Sequence, residues 1–206
     1  TWVRIDDPAQ QRKLVAIIQN DIERLDRLIS DISNASRIDA EMSRAKMTPL
    51  DVGAILAALQ EIQRASGAAQ QVEIDLDVPA GGHGLTIDGV EDRIVQVMRN
   101  LISNAVSFSP PGGRIRISAR ADAGFTQVTV EDDGPGLAPG SEAAVFDRFY
   151  RDRPEAEKFG AHSGLGLSIS KQIVTAHDGD IWAENRTAPD GAIFGARFVV
   201  RFPQAK

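Results

Sequence analysis

At 206 residues the chain is long enough to bury a substantial core, and 42% hydrophobic with 25% charged residues is a folded composition rather than a disordered one. A net charge of −6 excludes an ordinary nucleic-acid surface, which needs clustered Lys and Arg. The absence of cysteine excludes disulfides, thiolate catalysis and Cys-type zinc sites, and the three histidines, His83, His162 and His177, are scattered without metal-ligand spacing.

No apolar run approaches the roughly 20 residues that span a bilayer, and nothing resembles a signal peptide. The chain starts at Thr1 rather than Met and is expected to be a soluble piece of something longer. From about Gln10 to Met42 it lacks Gly and Pro, and Val15, Ile18, Ile22, Leu25, Ile29 and Ile32 recur at alternating spacings of three and four. That is the seam of a helix packed on another helix. A second row (Leu14, Ile17, Leu28, Ala35, Ile38) widens the stripe and points to a four-helix bundle rather than a helix lying on its own globular domain.

Pro49, within Lys46 to Leu50, stops the helix and divides the chain into 1–45 and 46–206. A helix from Asp51 to about Ala65 follows, then a strand alternating Val72, Ile74 and Leu76. A Gly-rich turn, Gly81 to Gly84, leads to a short strand, Leu85 to Ile87. Asp88 and Glu91 have the spacing of a capping box, opening a helix that runs to Phe108 and ends at Pro110-Pro111-Gly112-Gly113. A hairpin turning at Ala123-Gly124 joins strands alternating at Ile115, Ile117, Ala119 and at Val128, Val130. Leu137 to His162 carries little secondary-structure signal, and a loop of that length is usually a functional lid. A helix from Leu165 to Ala176, a Gly179 stop and two closing strands complete the chain. The last strand alternates Phe194, Ala196, Phe198, Val200 and Phe202, with Arg197 and Arg201 on its other face. Several antiparallel strands with helices on one face make an α+β fold, a two-layer sandwich.

On the helix opened by Asp88, Gln96, Asn100, Asn104 and Ser107 form a polar stripe opposite Ile94, Val97, Met98, Leu101, Ile102 and Ala105. Solvated faces usually carry Lys and Glu; short neutral amides and hydroxyls instead suit the floor of a magnesium nucleotide site. Asp132, at a strand end before Gly134 and Gly136, is either the first residue of an ordinary turn or an acceptor for a ligand's amino group. Phe146, Phe149 and Tyr150 look like anchors for the lid. Ser163-Gly164-Leu165-Gly166-Leu167 opens a helix whose N-terminus, with its partial positive charge, suits phosphate. This loop is neither a Walker A, lacking Gly-Lys-Ser/Thr, nor a Rossmann fingerprint. His177, beside Asp178 and Gly179, reads as a helix-end residue rather than a catalytic one.

In order, N-L-I-S-N-A (Asn100 to Ala105), D-D-G-P-G (Asp132 to Gly136), F-D-R-F-Y-R (Phe146 to Arg151) and S-G-L-G-L-S (Ser163 to Ser168) resemble the N, G1, F and G2 boxes of the sensor histidine kinases, in the superfamily of gyrase, Hsp90 and MutL. The resemblance covers essentially the whole chain. It implies a Bergerat-type ATP-binding domain over 46–206, preceded by the second helix of a dimerisation hairpin whose phosphoacceptor helix is missing. It implies Asn104 as the Mg²⁺ ligand, Asn100 as a supporting phosphate-site residue, Asp132 as the acceptor for the adenine amine, Phe108 stacked on adenine, and Gly134, Gly136, Tyr150 and Ser163 through Leu167 around the nucleotide. Arg151 matches the position that reaches the phosphates, with Arg148 a second candidate. Where the family places Lys three residues after the metal ligand, this chain has Ser107, so that phosphate contact must come from elsewhere. The variant S-F-S-P-P-G is similar to that of the ChvG-type envelope-stress sensor kinases.

The activity implied is transfer of the ATP γ-phosphoryl to a histidine outside this chain and on to a response-regulator aspartate. A nucleotide-binding module without kinase activity is the alternative, supported by Ser107. The implied setting is the cytoplasmic part of an inner-membrane parent, dimeric through the N-terminal helix and touching the membrane only through segments not present here.

Overall fold

The computed structural model describes residues 45–65, 72–79, 84–150 and 164–205. The expected heptad helix, and with it the dimerisation segment, lies outside them. Strand β1 (Thr48–Asp51) forms where Pro49 was expected only to break a helix; it pairs antiparallel with β3 (Thr86–Gly89), Pro49 opposite Asp88. A two-stranded ladder leaves proline's missing N–H uncontested, so the ring is tolerated there. Helix α1 (Val52–Ala65) begins as read: Asp51 Oδ1 accepts the Ala54 amide at 3.1 Å, and Val52, Leu56 and Leu59 face the core. Its Gln60 donates to Ile74 O at 2.9 Å and ties the helix to β2 (Val72–Asp77).

Helix α2 (Glu91–Phe108) buries Ile94, Val97, Met98, Leu101, Ile102 and Ala105, the expected face. Its start corrects the sequence reading. Asp88 belongs to β3, and the N-cap is Val90, in extended conformation and with no side-chain cap. The capping box fails because strand pairing holds Asp88 two residues short of the helix. The Val90 N–H is instead taken by His177 Nε2, at 3.1 Å, from the end of helix α3 (Gly166–Ala176). His177 is 5% exposed, and its Nδ1 lies 2.8 Å from Ile173 O. Only the neutral Nδ1–H tautomer serves both bonds.

A five-stranded sheet, ordered β2-β4-β5-β7-β6, completes the fold with β4 (Gly113–Asp122), β5 (Phe125–Glu131), β6 (Asp180–Thr187) and β7 (Ile193–Pro203). Ala123 and Gly124, both at positive φ, make the expected tight hairpin between β4 and β5. The sheet is not wholly antiparallel: β2 runs parallel to β4, because the chain crosses over through β3 and α2 between them. Ile74, Ile115, Ile117, Val128, Val130, Phe198, Val200 and Phe202 share one buried cluster with the helices' apolar faces, giving two layers.

The opposite face of the sheet is striped by charge, strand by strand. Glu73, Asp75 and Asp77 on β2 meet Arg114 and Arg120 on β4; Arg116 meets Glu131 on β5; Arg197 on β7 reaches Glu131 and Glu184; Arg201 meets Asp180 on β6. Such exposed pairs contribute little energy each but oppose a register slip.

Burial lowers the His177 pKa from its ordinary 6.5, so folding favours the neutral ring. The stability this group contributes is therefore complete above pH 6.5 and is lost as pH falls through its folded value. Thermal melts at stepped pH are expected to show the melting temperature declining below about pH 6.5, with that part of the slope missing in His177→Gln.

Candidate functional site

β5 runs out at Glu131, and the next residue, Asp132, is carried over the end of β7. Its amide donates to Ala196 O at 3.0 Å. Oδ1 accepts the Gly134 amide at 2.9 Å and the Ala196 amide at 3.2 Å. Among the described residues no hydrogen bond is directed at Oδ2. The side chain is 2% exposed, and desolvation raises its pKa above 3.8 against the pull of those two amides and Arg186. A group raised in this way contributes stability that is full below pH 3.8 and lost as pH rises through its folded pKa. One oxygen is held by amides and the other takes no bond from the described residues, so the carboxylate keeps acceptor capacity.

The glycines after it are required by close approach. A Cβ at Gly134 would lie 2.7 Å from Asp132 Oδ1 and 2.8 Å from Phe108 O, so the end of α2 presses against this loop. Gly136 sits at φ +79°, and a side chain there would run into Ile193 and Asn185.

The two asparagines of α2 differ in what they do. Asn100 Nδ2 donates to Gly166 O at 3.0 Å and Ser170 Oγ at 3.2 Å, fastening α2 to the first turn of α3. Asn104, one turn on and half-buried, makes no hydrogen bond among the described residues. Its amide is thus free to ligate, on the same rim as Phe108. Among those residues no group of three Asp, Glu or His side chains can hold a metal ion, so a cation here would rest on the amide, phosphate and water oxygens. Those donors fit Mg²⁺. Ser107 and Phe108 each make a polar or ring contact of their own. Arg93 donates to Gln96 at 3.0 Å, so the stripe's first member serves its own helix.

At the base of the expected lid, the Phe149 amide donates to Gly164 O at 3.0 Å, and a side chain on Gly164, at φ +71°, would meet Tyr150 O at 3.0 Å. Phe149, within the expected lid, is thereby tied to Gly164 just after it. Phe149 itself holds a positive φ of 65°, a strained state for a non-glycine residue. Phe146 is the anchor proper, buried edge-on against Phe198; Tyr150 packs partly on the core. Phe149 is 56% exposed, against expectation, because its strained backbone turns it outward. Leu165 is buried and Leu167 packs on the core, so only their backbones can face a ligand. The first-turn amides of α3, at Gly166 to Ser168, have no partner within the helix. Arg148 is exposed and not drawn into this cluster; Arg151 and Ser163 lie outside the described residues.

Sequence reasoning missed Asn185 and Arg186 of β6. The Asn185 amide accepts from Leu137 N at 2.6 Å and donates to Leu137 O at 3.0 Å. Arg186 Nη1 donates to Asp132 O at 2.5 Å and Asp133 Oδ1 at 2.9 Å. The signal was there: alternation from the inward Ala183 points Asn185 inward too, a polar amide among apolar positions.

These features define an ATP-binding class of site, and comparison gives its family. Residues 89–206 match the family described as histidine kinase-, DNA gyrase B-, and HSP90-like ATPase, and the chain belongs to it. It is 46% identical over 198 residues to the sensor protein ChvG of Rhizobium meliloti (94% of this chain, 34% of that protein). It is 44% identical over 211 residues to the sensor protein ChvG of Agrobacterium fabrum (100% and 35%). The chain thus spans about a third of these relatives' length. Among solved structures, full-length ShkA in complex with AMPPNP is 26% identical with a TM-score of 0.71, covering 100% of this chain and 41% of that one. Among the described residues no helix is long and apolar enough to cross a membrane.

The asparagines can be separated by stability. Asn100→Ala removes two side-chain bonds between the helices while Ser170 Oγ and Gly166 O keep their bond to each other at 2.8 Å, and is expected to cost about 1 kcal/mol in denaturant unfolding. Asn104→Leu breaks no bond and is expected to stay within about 0.5 kcal/mol of wild type.

Proposed function

We propose that this chain is the ATP-binding kinase domain of a ChvG-type sensor histidine kinase, delivering the γ-phosphoryl of ATP to a histidine on a helical hairpin, from which it passes to an aspartate of a response regulator. The observation that carries this reading is the half-engaged carboxylate of Asp132: a buried acceptor held by backbone amides, with one oxygen left for the adenine amine. The relatives named as sensor proteins support the same assignment, and the alternative of a binding module without kinase activity finds no support among them.

In this reading Phe108 flanks the base, the α3 amides and the Gly164–Gly166 turn cradle the phosphates, and Asn100 holds that turn in place. Arg151, with Arg148, supplies the cation that Ser107 does not. Asn104 would hold Mg²⁺, whose contribution is neutralising charge on the phosphates. Phosphoryl transfer asks a protein mainly for positioning and electrostatic stabilisation, and these residues supply both. His177 is no acceptor, because both of its ring nitrogens are engaged in the fold. We place the response regulator, a second copy docked through the N-terminal helix, and an inner-membrane parent with this domain on its cytoplasmic side in the same proposal.

Calorimetry with ADP is expected to give a Kd between micromolar and millimolar, roughly 4–8 kcal/mol. Asp132→Asn keeps an oxygen for the Gly134 and Ala196 amides but turns a donor toward the adenine amine. Affinity is expected to fall about ten- to a hundredfold with the fold retained. Unchanged ADP affinity in that variant would sink the assignment.

Magnesium dependence tests Asn104 separately. Wild type is expected to bind ADP more tightly with Mg²⁺ than with EDTA, and Asn104→Leu to lose most of that difference while keeping its metal-free affinity. An equal magnesium effect in both proteins would make Asn104 merely a face residue.

A further inference from the structure

The loop from Asp132 to Leu137 contains Gly134, Pro135 and Gly136, and a glycine-rich segment left to itself samples many conformations. Within it only Asp132 Oδ1 makes a local bond, to the Gly134 amide. Its ends are fixed from elsewhere: Ala196 of β7 and the Arg114 amide of β4, on Asp133 Oδ2 at 3.0 Å, hold the Asp132 end, and consecutive residues of the edge strand β6 add a bond set at each end. Their side chains leave on opposite faces of the sheet. Asn185, on the helix side, closes a two-way amide bridge on Leu137; Arg186, on the outer side, bonds the Asp132 carbonyl and the Asp133 carboxylate.

Three features let β6 reach across β7 to do this. Gly195 of β7 lies between, and any side chain there would collide with the Asp132 carbonyl and come within 2.9 Å of Arg186 Nη1. The β6–β7 register shifts between Arg186 and Thr187, an irregularity that re-aims the arginine. Phe194 stacks 4.5 Å beneath the guanidinium, and the Arg186 side chain is only 12% exposed.

We propose that Asn185 and Arg186 are positioning residues for nucleotide recognition: together they buckle the Asp132–Leu137 loop at both ends and so hold the open oxygen of Asp132 where it selects a 6-amino over a 6-oxo purine. The inference rests on the ATP-binding reading above. A fixed acceptor rejects a ligand presenting a carbonyl oxygen, because two acceptors are forced together; a loose one swings away from the mismatch.

The test is calorimetry with ADP and GDP on wild type, Asn185→Ala, Arg186→Ala and the milder Arg186→Lys. Folding of each is checked by circular dichroism, and amide exchange at Leu137 is followed by NMR without nucleotide. Wild type is expected to prefer ADP strongly and to protect the Leu137 amide. Each Ala variant is expected to lose roughly tenfold or more in ADP affinity, to narrow the ADP-to-GDP ratio, and, for Asn185→Ala, to lose that protection. Arg186→Lys, which can still reach the Asp132 carbonyl, should recover part of the ratio, and it carries the test if Arg186→Ala does not fold. A merely structural role would lower the melting temperature and leave the ratio untouched; folded variants with the wild-type ratio would overturn the proposal. Wild type that binds no ADP would overturn the ATP-binding reading itself, a result distinguishable because it appears before any substitution is made.

Discussion

Two backbone amides, those of Gly134 and Ala196, converge on a single oxygen of Asp132, and the arrangement of the whole pocket follows from that convergence. The amides make a buried carboxylate tolerable without neutralising it, since desolvation still outweighs them and lifts the pKa. For the Ala196 amide to arrive, β7 must pass directly under the loop, which requires glycine at 195; for the Gly134 amide to arrive, the loop must double back against the end of α2, which requires glycine at 134. The exposed motif letters are thus consequences of a demand placed on one oxygen atom. The fold accepts a carboxyl group in a poorly solvated environment, a perturbation of a kind that clusters where ligands bind.

The other half of the pocket is governed by the α2–α3 pairing, secured at both ends. Asn100 joins the middle of α2 to the start of α3, and His177 joins the end of α3 to the start of α2. The two helices are thus bonded to each other at both ends of α3. Asn100, expected as a supporting phosphate-site residue, bonds the first turn of α3, while its neighbour Asn104 makes no hydrogen bond among the described residues.

Much of this was legible beforehand. The helix and strand periods located α1, α2, α3 and most strands, and the order of glycine-bearing words pointed to the family. What escaped had physical causes. Pro49 reads as a breaker because it cannot continue a helix, yet it is tolerated in β1, which needs only one partner, β3. Asp88 and Glu91 have capping spacing, but spacing says nothing of strand pairing that has already claimed Asp88. The parallel pairing of β2 with β4 is a property of the crossover, not of either strand's alternation. Asn185 and Arg186 carry no motif; their role exists only because a distant glycine, at 195, leaves a gap to reach through.

The charged face of the sheet has a consequence beyond register. Reading across it, acid on β2, arginine on β4, acid on β5, arginine on β7 and acid on β6 form an odd-numbered alternation, so both outermost strands end on the same sign. Two copies of this chain meeting edge to edge would set aspartate and glutamate against aspartate and glutamate, whichever edges they chose. The inner arginines are already engaged, and Arg186, the one arginine of edge strand β6, is held against Asp133 and the Asp132 carbonyl with its side chain only 12% exposed. The open backbone of each edge strand is a standing invitation to accretion, and here parity of strand number turns one charge rule into protection for both borders at once.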